Sequence, residues 1–434
     1  MKNYKDLVPI IMILVYVGSF YMLFDEKKSD NEEYNFYLNT AREYREQDIM
    51  VDAKANYNAA YDMEPSLELA LEIGSIYMEE ETYHNAIDWG EDVLIEEYPT
   101  DIEGYEYLEN IFYLQEDYIS FYEVFDTIEK RQLSSDVVNK MEAEIAYRFF
   151  FNGDYEEVGI YSEGLCPVKS GDYWGYVNKN GAKCTDYAYR NAGYFSTSIA
   201  PVVDRDKLAY FIDSEGNKKK VVVGVKNVQE IGMVASELLP VYNGSYWGFY
   251  NLDNEYVFGK YTETTAMGNG IAAVKIDEEW ALINSEGNKI TDKNYENIAL
   301  DEKKVVYRND RIFVYEDFYF HMIDALGKTI GKGLYQDADV FNDDTYAAVK
   351  IDNKWGFIDK SGKVVIEPMY EAARSFSNGY APVRKAGKWG FIDKSGKVVI
   401  DYQFQDAKDF TSKGSVFVKL EDTWQLLRLY KYNY

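Results

Sequence analysis

The chain has 434 residues, 47% of them apolar and 17% aromatic, which excludes a disordered polymer and calls for two or more folded parts. Net charge is −29, and the stretch from Asp25 to Tyr155 holds 34 Asp and Glu against 9 Lys and Arg. A field of that sign repels nucleic acid and anionic lipid headgroups; it favours basic peptides or cations, or serves solubility alone.

Residues Leu7 to Phe24 run without a charge. At helical rise they would span about 27 Å, close to the hydrocarbon core of a bilayer. The only small-x-small site, Val17-Gly18-Ser19, lies inside the apolar run, so an uncleaved signal anchor is expected rather than a cleaved leader. Lys2 and Lys5 precede it and Lys27 and Lys28 follow. With so few charges ahead of the span, the tail is expected in the cytoplasm. That reading makes the chain a single-pass cell-membrane protein with its large C-terminal part extracytoplasmic.

After a linker over residues 25–32 the spacing of apolar residues becomes helical. Tyr37, Ala41, Tyr44, Ala53, Tyr57, Ala60 and Pro65 form a first helical pair. Gly74, Tyr77, Tyr83, Ala86 and Pro99 mark a second, with Pro99 arriving 34 residues after Pro65. Tyr105, Leu108, Phe112, Tyr118, Phe121, Phe125 and Ile128 mark a more degenerate third. Small residues let paired helices approach, and each proline stops a helix. Ser134 or Ser135 is expected to cap a last helix from about Asp136 to Phe150. The offsets resemble tetratricopeptide repeats. That resemblance implies an all-α array over 33–153 that either presents a groove to a protein partner or acts as a spacer.

From Glu156 strands replace helices. Lys354 to Ile366 and Lys388 to Ile400 are identical over thirteen residues, Lys-Trp-Gly-Phe-Ile-Asp-Lys-Ser-Gly-Lys-Val-Val-Ile. The tryptophan recurs at Trp174, Trp247, Trp280, Trp355, Trp389 and Trp424, with Ala209 and Phe320 at two further units. The intervals are 35, 38, 33, 40, 35, 34 and 35 residues, giving eight repeats over 156–434. Each unit reads as three strands: Tyr380 to Arg384, Trp389 to Asp393 and Lys397 to Ile400 in the clearest copy, with Gly396 at a bulged hairpin turn. Gly175, Gly248, Gly356 and Gly390 beside the tryptophans are expected to leave a gap for a neighbouring unit. These motifs resemble the WG, or KWG, repeat family. The resemblance implies an open solenoid-like or propeller-like β array, with Trp174, Gly175, Trp247, Gly248, Trp280, Trp355, Gly356, Trp389, Gly390 and Trp424 as its structural signature.

Catalytic chemistry does not stand out. Cys166 and Cys184 fall on the first and third strands of one unit, about 9.6 Å apart and beyond bridging reach. His84 and His321 lie in unrelated segments, too few for a metal set. Gly327-Lys328-Thr329 resembles the end of a phosphate loop, but Met322 stands where a glycine is needed. Asp337, Asp339, Asp343 and Asp344 keep no calcium-loop spacing. No catalytic residue, metal or cofactor is therefore expected. The chain reads as a membrane-anchored interaction scaffold binding a protein or envelope partner and no nucleic acid; the alternative is a carbohydrate or cell-wall binder stacking sugars on the repeated tryptophans.

Overall fold

The computed structural model describes residues 31–221, 228–342 and 345–432. The chain divides into two compact units, one ending at Ala146 and the other spanning Tyr147–Tyr432. The expected anchor, Leu7 to Phe24, lies outside the described residues. Among those described, no helix is long and apolar enough to cross a membrane. The fold class and the single-pass, extracytoplasmic localisation expected from the sequence are therefore corrected: no spanning element among the described residues supports them.

The described residues of the first unit form seven helices: α1 (31–46), α2 (Met50–Met63), α3 (Leu67–Glu79), α4 (Tyr83–Trp89, continued by a π-helical turn Gly90–Ile95), α5 (Ile102–Leu114), α6 (Tyr118–Lys130) and α7 (Asp136–Ile145). Ala41, Ala53 and Ala60 are fully buried with Tyr57 among them, the small-plus-aromatic packing that lets helices approach closely. A Cβ on Gly90 would come within 2.5 Å of Leu108, so this glycine sets the approach of α4 to α5. One turn recurs. Asp48, Glu81 and Glu116 each take a positive φ, and the next residue's N–H bonds a carbonyl five positions back: Ile49 to Tyr44, Thr82 to Tyr77, Asp117 to Phe112. Helix α7 is capped by Ser135, whose Oγ accepts from Val137 and Val138 N–H at 3.1 Å each. It stops at Ile145, short of the Phe150 expected from the sequence.

The aromatic residues that follow form a strand instead. Phe149–Tyr155 pairs antiparallel with the last strand, Thr423–Leu429, so the two ends of the β unit share one sheet. The described strands fall into seven sheets of two to seven strands. None closes into a barrel, and they are not the equal, regularly stacked elements of the expected solenoid-like or propeller-like array. The three-stranded reading also misses a short fourth strand in several units, such as Ala372–Ala373 and Asp406–Ala407. Two residues are too few to show alternation.

Within a unit the hairpins match the expected strands. Tyr380–Lys385 pairs with Lys388–Asp393, which pairs with Val398–Phe404. Gly396 has φ +84°, and the turn is held at its head by Asp393, whose Oδ1 accepts from Ser395 and Lys397 N–H at 2.9 and 3.1 Å. Asp359 and Asp324 serve their turns in the same way. The gap beside the tryptophan is filled from within the same unit. A Cβ on Gly390 would lie 2.7 Å from Ile400 O, because the third strand bulges between Ile400 and Phe404 where it passes Gly390.

Candidate binding clefts

None of the six repeat tryptophans is exposed: Trp280 and Trp424 are buried, and Trp174, Trp247, Trp355 and Trp389 half-buried. Cations lie over several of the rings, Arg374 at 5.9 Å from the Trp389 centroid and Lys408 at 5.2 Å from that of Trp424. Gly175, Gly248, Gly356 and Gly390 are buried beside them. Cys166 is a buried free thiol, raised above the ordinary range by burial, and Cys184 is a half-buried free thiol. His84 lies 3.5 Å from Asp88 on an exposed helix face, while His321 Nε2 is 3.1 Å from Glu316 O. Among the described residues no group of His, Cys, Asp or Glu could hold a metal ion. Asp343 and Asp344 lie outside them.

The longest repeat interval, Trp280 to Phe320, contains a turn at residues 301–304 that reaches far repeats. Glu302 Oε1 accepts from Arg374 Nη1 at 3.0 Å and from Lys408 Nζ at 2.6 Å. Arg374 also faces Asp406 at 3.5 Å. Asp339 Oδ2 accepts from Ser375 N–H at 2.7 Å, and Asp409 Oδ2 from Asn342 Nδ2 at 3.0 Å. Asp409 Oδ1 and Arg374 Nε are buried without a hydrogen-bond partner. Burial pushes Asp409 up to about 7; Arg374 opposes the rise, and Asp339 and Glu302 add to it. Of these groups the sequence singles out only Asp339, as a cation ligand without calcium-loop spacing.

Beside this cluster is a cavity of ≈ 430 Å³ whose lining includes Tyr161, Lys179, Lys303, Arg308, Asn342 and Asp409. A second, of ≈ 190 Å³, is bordered by Tyr194, Trp247, Glu302, Lys303 and Lys304. Lys303 borders both. Most charges here have partners: Asp301 pairs with Arg308 at 2.6 Å, and Glu163 accepts from Thr197 and Ser198 N–H at 2.8 Å each. Lys179 Nζ donates to Ser412 Oγ at 3.1 Å.

The helical unit differs. Residues 31–146 carry 30 Asp and Glu against six Lys and Arg. Arg42 pairs with Glu72, Arg45 with Glu79, Lys54 with Glu80 and Lys130 with Asp126. Arg131 donates to Pro99 O at 3.1 Å. An open groove of ≈ 500 Å³ is lined by Lys54, Tyr77, Asp88, Trp89, Asp92 and Val93, among others. Trp89 Nε1 donates to Ala70 O at 2.9 Å, and Lys54 lies over the Tyr77 ring. The groove thus offers aromatic faces and two carboxylates one helical turn apart.

A family model described as "WG containing repeat" matches residues 247–280, 322–355, 355–389 and 389–424, each stretch ending on a repeat tryptophan. No curated protein sequence matches the chain. Solved structures similar to it include BamB from Moraxella catarrhalis (9% identity, 64% of this chain and 99% of that one, TM-score 0.41). They also include a eukaryotic initiation factor (13%, 62% and 81%, TM-score 0.42) and the WD40 beta propeller domain of Doa1 (10%, 64% and 94%, TM-score 0.30). No residue role or partner is carried over from structures at this distance. What stands is the repeat itself: between residues 247 and 424 the chain carries WG-containing repeats.

Proposed function

We propose that the chain is a non-catalytic interaction scaffold whose helical unit docks a basic segment of a partner protein. The observation that carries this reading is the charge inventory of that unit. Five of its six cations are engaged internally, by carboxylates or a carbonyl, so the surface it presents is overwhelmingly anionic. Such a field steers and retains a cationic segment and repels phosphate backbones. The groove at Tyr77 and Trp89 adds ring faces for lysine or arginine, with Asp88 and Asp92 beside them. The repeat unit fits the same role as a rigid platform of hairpins.

The reading is tested by titrating the full chain with a fluorescent lysine-rich peptide and repeating the titration with Asp88→Lys and Asp92→Lys combined. The double reversal is expected to weaken binding by at least about tenfold, roughly 1.4 kcal/mol. Unchanged affinity would remove the groove from the account.

A further inference from the structure

The cleft beside the 301–304 turn is built differently from the acidic groove. Its most distinctive group is Lys303. The ammonium has no hydrogen bond or ion pair among the described residues, although the side chain is largely removed from water and borders both cavities. Burial pulls it below the ordinary lysine range, aided by neighbouring Arg308 and opposed by Asp301 and Asp409. An unpaired cation in a concave site disfavours itself unless an anion arrives.

The carboxylates nearby do not fill that role. Asp301 is held by Arg308 and by Val305 N–H at 2.8 Å, and Glu163 by two backbone N–H groups. Asp409 gives one oxygen to Asn342, while the other is buried and has no partner. The rest of the wall is mixed: Lys179 is a second cation, held by Ser412 Oγ at 3.1 Å, and neutral polar side chains alternate with Ile160 and aromatic rings. Asn378 donates one N–H to Phe410 O at 2.7 Å, and Asn342 donates one to Asp409. Asn378 spends its other N–H on Ser377 Oγ at 3.1 Å and keeps its oxygen as an acceptor, whereas Asn342 keeps a second N–H and its oxygen, the donor and acceptor pair that a hydroxyl uses. Tyr161 and Phe410 supply ring surface. A volume of ≈ 430 Å³ lies within the usual range for small-molecule sites.

We propose that this cleft binds a small polyhydroxylated anion, a sugar carrying one carboxylate or phosphate group, with Lys303 on the anionic group and Asn342 and Asn378 on the hydroxyls. The site is independent of the helical groove, so either proposal can fail without the other.

The test titrates the full chain calorimetrically with glucuronate, glucose 6-phosphate, glucose and inorganic phosphate. At least one charged sugar is expected to bind about tenfold or more tightly than both glucose and inorganic phosphate, the margin of one charge-assisted contact. The preference between glucuronate and glucose 6-phosphate identifies the anionic group. Lys303→Met is expected to remove that margin, and Lys303→Arg to keep most of it, with the thermal transition of both variants close to that of the parent. Binding of inorganic phosphate as tight as that of the charged sugars, affinity unaltered in Lys303→Met, or no binding of any of the four probes overturns the proposal.

Discussion

The helical and β units handle charge in opposite ways. In the helical unit, ion pairs such as Arg42–Glu72 and Arg45–Glu79 join residues 30 and 34 positions apart, about one repeat period. With six cations for 30 acids, most acids of the helical unit never find a cation, and most of those that do meet it on a neighbouring helix pair. In the β unit, Glu302 collects Arg374 and Lys408 from 72 and 106 positions away. Connecting turns, unlike helix faces, can reach across several repeats. Where charge is buried in the helical unit it is unaccompanied: Glu109 is fully buried and neither carboxylate oxygen has a partner. One unit thus exports its charge and the other gathers it.

That contrast can be broken most strongly at Glu109. Burial pushes its carboxyl up to about 9, so the folded helical unit holds a proton that the unfolded chain releases near the ordinary 4.5. The unit should therefore be most stable below about pH 4.5, lose stability as pH rises towards about 9, and level off beyond. At pH 7 the penalty amounts to about 3 kcal/mol, which Glu109→Leu should recover while abolishing the slope; thermal melts of the helical signal across pH check both. A flat pH profile in the parent chain would show that Glu109 is accommodated as the anion.

In the β unit, Gly390→Ala drives a Cβ against the immovable Ile400 carbonyl, and a loss of about 3 kcal/mol is expected in chemical denaturation. Gly387→Ala, three residues away with φ +76° and nothing within 4 Å, should cost only about 1 kcal/mol. Equal losses at the two sites would refute the bulge as the reason for the glycine. Glu302→Gln leaves Arg374 and Lys408 without their shared anion and should cost about 2 kcal/mol, read in the same denaturation curves. The smallest effect belongs to the exposed Lys183–Asp186 pair, where Lys183→Ala should leave the denaturation midpoint unchanged.

What could be read from the sequence follows the range of the interactions. Trp389, Gly390 and Gly396 repeat in register with hairpin strands, so strand order and turn position were visible. So was Asp393, three residues before Gly396 and matched by Asp359 before Gly362, although the sequence reading gave weight only to the glycines. The Glu302 cluster had no local pattern. Its single trace was the 40-residue interval between Trp280 and Phe320, which accommodates the 301–304 turn. The misread end of α7 has the same origin: Phe149 and Phe150 belong to a strand only because Leu429 and Arg428 come to lie opposite them. The glycine gap was correctly located but assigned to the wrong neighbour, since a bulge in the third strand leaves no mark in the hydrophobic pattern.

The central claim, that the helical unit recognises its partner through displayed negative charge, is tested most directly by measuring the affinity of a lysine-rich peptide for the full chain at two ionic strengths. Between about 0.01 M and 0.15 M salt the screening length contracts from about 30 Å to about 8 Å. Affinity is expected to fall by at least about tenfold over that range. Salt-independent affinity, or no binding even at the lower salt, would contradict the account.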